Sequence, residues 1–167
     1  DTCYAVENVR IDGDPIGAVT SYTFTNVQAT HVISVTFVPA VLAVTATADA
    51  NGSISPTGIV PQTCRASQEF TITPATCFQV GEVLVDGSSV GAVTTYSFSN
   101  IIANHTIDAH FTLATRTITA QDGAGGTINP IGSVVVPCGS DTVFTITPND
   151  CYSIADVLVD GITVGAV

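Results

Sequence analysis

The chain has no lysine, tryptophan or methionine, and its three basic residues, Arg10, Arg65 and Arg116, face 14 acidic ones. Its formal net charge is −11, although only 10% of its residues are charged. Such a surface repels phosphate groups, which argues against nucleic acid as a partner and against attraction to anionic membranes. Isopeptide cross-links between lysine and asparagine are also excluded within these residues.

Aromatic residues are scarce as well, at 7% of a chain that is 46% apolar. The cores must be built from Val, Ile, Ala and Phe, with Thr alternating on the solvent side, which is typical of strands. Residues 70–73 and 96–98 alternate with period two, and no segment shows capped helical periodicity. The apolar stretch 32–48 contains Pro39 and alternating Thr, so it predicts two strands and a linker and no membrane insertion. The predicted fold class is all-β.

The cysteines reveal a repeat. Cys3, Cys77 and Cys151 are 74 residues apart, as are Cys64 and Cys138 (77 − 3 = 151 − 77 = 138 − 64 = 74). Residues 1–19, 75–93 and 149–167 are three similar copies of one segment, and the sequence between them also repeats. Self-similarity at a fixed period predicts a tandem array of small modules, which we expect to form an elongated rod.

The repeat sets the expected domain boundaries. Residues 1–38 form the C-terminal part of a module, 41–113 a complete module, and 115–167 the N-terminal part of a third. Six strands are predicted in the complete module, at 44–49, 53–60, 68–73, 82–86, 95–100 and 106–112. Asn51-Gly52, the glycines from 123 to 126 and Asp86-Gly87 predict tight hairpin turns with positive φ.

Several motifs recur in order: G-x-I-x-P-x-G, F-T-I-T-P, C-[FY] followed by V-L-V-D-G, then Y-x-F-x-N and H-x-I-x-x-x-F. Over essentially the whole chain this pattern resembles a bacterial surface tandem-repeat family, related to the B-repeats of internalin-type proteins and to divergent repeats of secreted bacterial proteins. The resemblance implies a β-grasp-like or small sandwich module, used outside the cell as a spacer or adhesive element. It implies no catalytic residues. The family often has Gly and Tyr where this chain has cysteines, which implies that a disulfide was gained.

Five cysteines without a CxxC pair predict disulfides in an oxidising, extracellular or cell-surface environment. Zinc is the competing interpretation, but short ligand spacings are missing. One pairing joins Cys64 to Cys77 and Cys138 to Cys151 and leaves the partner of Cys3 outside the chain. The other joins Cys3 to Cys64 and Cys77 to Cys138, across module boundaries. We favour the first, although an extended strand at 68–73 would separate Cys64 from Cys77 unless the chain folds back.

The remaining polar residues point to turns. His31 and His105 are equivalent positions, and bonding to a turn is favoured over metal binding. Asp12-Gly13-Asp14 resembles part of a calcium loop, but its second aspartate is not repeated, which favours a turn. No nucleophile has a nearby base and carboxylate in the pattern. We therefore predict no enzyme, no catalytic or metal site and no cofactor.

The third copy lacks counterparts of the strands at 95–100 and 106–112, which would expose a sheet edge. Another chain could supply its residues 21–37 by donor-strand addition and so build an open filament. The expected assembly residues are Ser21, Tyr22, Phe24, Val32, Val35 and Phe37. The fit is imperfect because residues 1–19 duplicate 149–167. The simpler alternative is that the chain is a window on a longer tandem array.

These patterns predict an extracellular bacterial structural protein: a disulfide-stapled β fibre or stalk, whose partner is itself. One alternative is an adhesin that recognises a host protein or glycan. It would need an exposed aromatic patch, and the four tyrosines lie mostly at core-like positions. Another alternative is an accessory repeat array of a secreted enzyme.

Overall fold

The computed structural model describes residues 2–166, and this range contains strands and turns but no helix. The chain divides into two compact units. One comprises Asp1–Ala75 and Val80–Phe111, and the other comprises Thr76–Gln79 and Thr112–Val167. The all-β prediction is confirmed.

The first three strands form one antiparallel sheet in the order β2-β1-β3. They are β1 (Tyr4–Ile11), β2 (Asp14–Gly17) and β3 (Ile33–Pro39). The hairpin between β1 and β2 turns at Asp12 and Gly13, whose φ angles are 53° and 95°. The tight turn predicted here is therefore confirmed, and it is one of the few places where glycine is needed for its backbone freedom.

The complete module holds eight strands: β4 (Leu42–Ala48), β5 (Gly52–Ser55), β6 (Gly58–Gln62), β7 (Gln68–Pro74), β8 (Phe78–Val85), β9 (Ser88–Ser89), β10 (Thr95–Phe98) and β11 (His105–Leu113). Each of the six predicted segments contains strand. The predicted strand at 53–60 is split into β5 and β6, because Pro56 has no N–H to donate to a ladder. The apolar stretch 32–48 contains β3 and β4 with a short linker, as predicted.

The eight strands form two sheets with the orders β6-β4-β11-β8-β9 and β10-β7-β5. β4 and β11 are parallel, with His105 beside Val44 and Ala109 beside Ala48. The predicted hairpin at Asn51-Gly52 is wrong, because β4 and β5 belong to different sheets and the turn carries the chain from one to the other. Gly52 is also not among the glycines with positive φ.

The core of this module is assembled from both of its halves. Val44, Phe70 and Ile72 come from the first half, and they are fully buried together with Val83, Ile101 and Ile107 from the second. The edge-to-face contact of Phe70 with Phe98 has ring centroids 5.9 Å apart. Neither half has a complete core by itself.

The third copy forms three separate two-stranded sheets: β12-β14, β13-β15 and β16-β17. These strands are β12 (Thr115–Ala120), β13 (Gly126–Asn129), β14 (Gly132–Pro137), β15 (Thr145–Pro148), β16 (Val157–Val159) and β17 (Ile162–Gly165). The pairing of β12 with β14 repeats that of β4 with β6, and β13 with β15 repeats β5 with β7.

Candidate functional site

Two disulfides mark equivalent positions of the repeat. Cys3 is bonded to Cys64 and Cys77 to Cys138, each across a sequence separation of 61 residues. The favoured pairing within modules is therefore wrong, and so is the expectation that Cys3 has its partner outside the chain. The reason is β7, whose seven extended residues carry the chain roughly 20 Å away from Cys64.

Backbone hydrogen bonds hold the linkers beside both disulfides. The Ala40 N–H donates to the Cys3 carbonyl over 2.9 Å, and the Ala114 N–H donates to the Cys77 carbonyl over 2.8 Å. The Cys138 N–H donates to the Ala114 carbonyl over 2.8 Å. Ala40 and Ala114 are themselves 74 residues apart, so each junction combines a covalent bond with a fixed linker.

Cys151 is the third member of the series and is exposed with a free thiol. Its φ of 68° equals that of Cys77. The turn that presents the cysteine therefore forms with and without the disulfide. By the 74-residue repeat, Cys151 is equivalent to Cys3 and Cys77. Cys138 is bonded to Cys77 and not to Cys151.

A second repeated cluster joins each Asp-Gly turn to the start of a later strand. His31 Nδ1 donates to Asp12 Oδ2 over 2.7 Å, and the Val32 N–H donates to Asp12 Oδ1 over 2.8 Å. His105 and Thr106 make the same two bonds to Asp86, at 2.7 and 2.8 Å. The prediction that these histidines bond a turn is confirmed.

These bonds also set the titration of the two aspartates. The His31 side chain and the Val32 N–H both donate to Asp12 and lower the pKa of its carboxyl group. For Asp86, desolvation is the largest single effect and raises the pKa, but the hydrogen bonds from His105 and Thr106 together outweigh it and lower the pKa overall. Both carboxylates are therefore held in the ionised form that accepts these bonds.

The role of the two aspartates was missed at the sequence level. Each lies 19 residues before its histidine. The joint recurrence of Asp-Gly and His at this spacing was a signal that could have identified the pair. Asp12 and Gly13 lie in a turn, as predicted, and Asp14 is the first residue of β2.

The third histidine, His110 in β11, lies between two carboxylates. His110 Nε2 is 3.2 Å from Asp108 Oδ2, and its Nδ1 is 3.9 Å from Asp49 Oδ2. Asp49 also accepts hydrogen bonds from the N–H groups of Phe111 and Asn51, which lower the pKa of its carboxyl group. Asp49 thus fixes the end of β4 to β11. Within residues 2–166, no group of three or more His, Cys, Asp or Glu side chains could hold a metal ion.

The predicted assembly residues lie on β3 of the first sheet and in the loop between β2 and β3. Ser21, Tyr22 and Phe24 are outside any strand, Val32 directly precedes β3, and Val35 and Phe37 are in β3. Tyr22 and Phe24 pack edge to face at 4.9 Å, and Phe24 stacks on His31 at 5.1 Å. Of these six residues, only Phe24 is half-buried, and the other five are exposed.

The tyrosines are more exposed than expected from the sequence, which placed them mostly at core-like positions. Tyr4, Tyr22 and Tyr152 are exposed and only Tyr96 is half-buried. An open cavity of about 390 Å³ beside the first disulfide is lined by Cys3, Tyr4, Pro39, Cys64 and Arg65.

Across residues 2–166, no helix combines the length and apolar character required to cross a bilayer. Comparison with known proteins gives no match: no family model fits the chain, and no curated protein and no solved structure shows significant similarity.

Proposed function

We propose that this chain is part of an extracellular bacterial tandem-repeat protein with a structural role. Its modules would follow one another in an elongated rod that serves as a fibre or stalk and associates with further copies of itself. The resemblance of its recurring motifs to bacterial surface repeats supports this proposal, and the two disulfides are compatible with an oxidising environment.

One observation carries the proposal: each disulfide crosses from one sequence module to the next. Cys3 belongs to the copy that ends at residue 38, and its partner Cys64 belongs to the complete module. Cys77 belongs to the complete module, and Cys138 to the third copy. A second covalent connection at each boundary, in addition to the peptide chain, would keep neighbouring modules joined when the chain is under tension.

The disulfides also limit how far tension can extend the chain. Residues 3–64 and 77–138 are closed loops, so unfolding under force lengthens the oxidised chain only outside them. Reduction frees the two loops, each with a sequence separation of 61 between its cysteines, and adds roughly 400 Å of extensible chain at about 3.4 Å per residue. Single-molecule extension with and without reductant measures this difference directly.

The matched control is Cys151→Ser, which removes the free thiol and leaves both loops closed. We expect its extension to equal that of the unmodified oxidised chain. Equal lengths for the oxidised and reduced chains would contradict a role in which the disulfides limit extension of the fibre or stalk.

Electron microscopy of native, untreated material tests the structural role itself. Fibres with an axial repeat of one or two modules are expected. Short separate particles would contradict this function and favour the adhesin.

The adhesin remains a second candidate because of the cavity beside the first disulfide. Exposed Tyr4 and Arg65 both line this cavity, and Tyr and Arg are among the residues most enriched at binding hot spots. Binding to a panel of host glycans and matrix proteins, lost in Tyr4→Ala and retained in Tyr152→Ala, would support this function. Equal binding by both variants would contradict it.

A further inference from the structure

Asn51 is the only one of the seven asparagines in the sequence that is followed by glycine. Asparagine deamidates when the main-chain nitrogen of the next residue attacks the side-chain amide carbon, and a side chain on that next residue hinders the attack. The other six asparagines precede Val, Ile, His, Asp or Pro, and proline has no N–H to lose. Asn51 is therefore the asparagine whose neighbour hinders this reaction least.

The Asn51-Gly52 bond lies where the chain passes from one sheet of the complete module to the other. Asn51 is in the turn after β4, Gly52 is the first residue of β5, and both are half-buried. Every residue that surrounds this bond in the contacts described below belongs to the complete module, 41–113, which has both of its halves. The site therefore does not depend on the incomplete copies.

The attacking group, the main-chain nitrogen of Gly52, is directed away from the sheet. Ile72 donates its N–H to the Thr94 carbonyl over 2.8 Å, which is on the β10 side of β7. Ile54 lies beside Ile72, and Gly52 lies beside Pro74. These are therefore pairs of the kind without hydrogen bonds between them. The Gly52 N–H points to the other side of β5, which is the edge of its sheet.

The main chain of Asn51 is held on both sides, whereas its side chain is not. The Asn51 N–H donates to Asp49 Oδ1 over 3.0 Å, and the Asn51 carbonyl accepts a hydrogen bond from the Ala75 N–H over 2.9 Å. Asp49 is itself fixed, because its Oδ2 accepts a hydrogen bond from the Phe111 N–H over 2.9 Å.

The Asn51 side-chain amide makes no hydrogen bond with any group in the described residues 2–166. Its amide carbon is therefore free to turn toward the Gly52 nitrogen while the main chain stays in place. An intramolecular attack gains from such a restriction, since less freedom has to be lost on the way to the reacting geometry.

The third copy keeps the main-chain contact of this turn without an asparagine. Its counterpart of Asn51-Gly52 is Gly125-Gly126. The Asn149 N–H donates to the Gly125 carbonyl over 2.9 Å, as the Ala75 N–H does to the Asn51 carbonyl. This contact therefore does not require the asparagine side chain, which is available for chemistry in the complete module.

We propose that Asn51 is a site of spontaneous deamidation in the folded protein. The Gly52 nitrogen forms a bond to Asn51 Cγ and closes a succinimide ring. The bond from Cγ to Nδ2 breaks, and ammonia leaves with the proton that the Gly52 N–H has lost. Water then opens the ring at one of its two carbonyl groups and leaves either aspartate or isoaspartate. This inference is independent of the proposed structural role, because the reaction takes place within one module.

The product should loosen the crossing between the two sheets. Isoaspartate routes the main chain through the side chain and so adds a methylene group between residues 51 and 52. The Phe111 ring already occupies the space beside Gly52, which leaves no room for a longer main chain. The new carboxylate also lies two residues from that of Asp49, and like charges at close range oppose each other.

Incubation of the folded, oxidised chain at mildly alkaline pH tests the reaction. Isoelectric focusing should show one additional negative charge per chain, from −11 to −12 (−11 − 1 = −12). Fragmentation of the tryptic peptide 11–65 by mass spectrometry should place the change at residue 51 and not at Asn26. Labelling by a methyltransferase specific for isoaspartate identifies the isomer.

Asn51→Gln is the matched control. Glutamine keeps the amide and both main-chain hydrogen bonds, but attack by the next nitrogen would close a six-membered ring, which forms much more slowly. We expect this variant to lose the charge shift. A charge shift that persists in Asn51→Gln, or an unmodified chain that shows no change at residue 51, would overturn the inference.

Urea at concentrations below the unfolding transition distinguishes reaction in the folded state from reaction during transient unfolding. The unfolded fraction rises steeply with urea because the free energy of unfolding falls linearly. A reaction of the folded protein should keep a constant rate in this range. A rate that rises in proportion to the unfolded fraction would show that the fold protects Asn51, and would overturn the inference.

The effect on the fold is measured on the isoaspartate form, separated by ion exchange. Its urea midpoint should be lower than that of the unmodified chain. Asn51→Asp carries the new charge without the longer main chain, so its midpoint should fall less. An isoaspartate form that unfolds at the midpoint of the unmodified chain would contradict the loosened crossing between the sheets.

Discussion

The ring of Phe111 covers Gly52 so closely that it occupies the space where a Cβ on residue 52 would lie. Phe111 is in β11 and Gly52 begins β5, so the contact joins the two sheets of the complete module. The Phe111 N–H also donates a hydrogen bond to the Asp49 carboxylate over 2.9 Å. The backbone of Phe111 is therefore held by Asp49, and its ring is held against Gly52.

Substitution of Gly52 by alanine should therefore destabilise the protein. The added methyl group forces the Phe111 ring or the backbone to move, and overpacking of this kind costs about 1–3 kcal/mol. The free energy of unfolding from chemical denaturation measures the effect. Gly123→Ala is the control, since a Cβ there meets nothing within 4 Å. Equal stability of the two variants would show that the ring contact does not hold the sheets together.

The disulfide pairing can be mapped with trypsin under non-reducing conditions. Cleavage after Arg10, Arg65 and Arg116 gives peptides 1–10, 11–65, 66–116 and 117–167. The pairs Cys3–Cys64 and Cys77–Cys138 predict that mass spectrometry finds 1–10 linked to 11–65, and 66–116 linked to 117–167. A link between 11–65 and 66–116 would instead indicate that Cys64 pairs with Cys77.

The sequence was sufficient to predict the repeat, the fold class and the approximate position of the strands. The alternation of apolar and polar residues, and the glycine and proline residues at turns, are local signals. They placed β7 and β11 within two residues of their observed ends. The partners of these strands depend on distant contacts. The exchange between sheets at Asn51-Gly52 and the parallel pairing of β4 with β11 had no local signal, so the hairpin predicted at this turn was wrong.

In the candidate site, too, local features could be predicted from the sequence and distant pairings could not. The turn at Asp12 and the attachment of His31 to a turn followed from residue types and spacing, whereas the pairing of five cysteines could not be deduced from spacing alone. The pairing of Cys64 with Cys77 was favoured on the condition that the chain folds back between them. The strand β7 prevents this, and only the structure shows that the chain does not fold back there.

The Asp86 carboxylate should make stability depend on pH. Its pKa is lowered from 3.8 in the folded state, so its contribution is present above this value and is lost as the pH falls through the folded pKa. Asp86→Asn should cost on the order of 0.5 kcal/mol above pH 5, as for exposed charged pairs, and should reduce the loss of stability below pH 4. Thermal unfolding between pH 2 and 7 measures both effects.

The control for this series is Asp160→Asn. Asp160 occupies the same turn of the third copy with a φ of 49°, but in the described residues it has no histidine partner. Its substitution should leave the pH profile unchanged. If both substitutions flatten the profile equally, the turn position and not the contact with His105 determines the pH dependence.

Cys138 and Cys151 should respond very differently to substitution by serine. Cys138→Ser opens a loop whose cysteines have a sequence separation of 61, and the chain-entropy model gives a loss of about 4 kcal/mol for a loop of this length. Cys151 is exposed and free, so Cys151→Ser should leave the free energy of unfolding nearly unchanged. Titration of native thiols should give one per unmodified chain and none in Cys151→Ser. Because the turn at Cys151 has the same φ as that at Cys77, a large loss in both variants would mean that Cys138 is bonded to Cys151, and that the covalent connection stays inside one module.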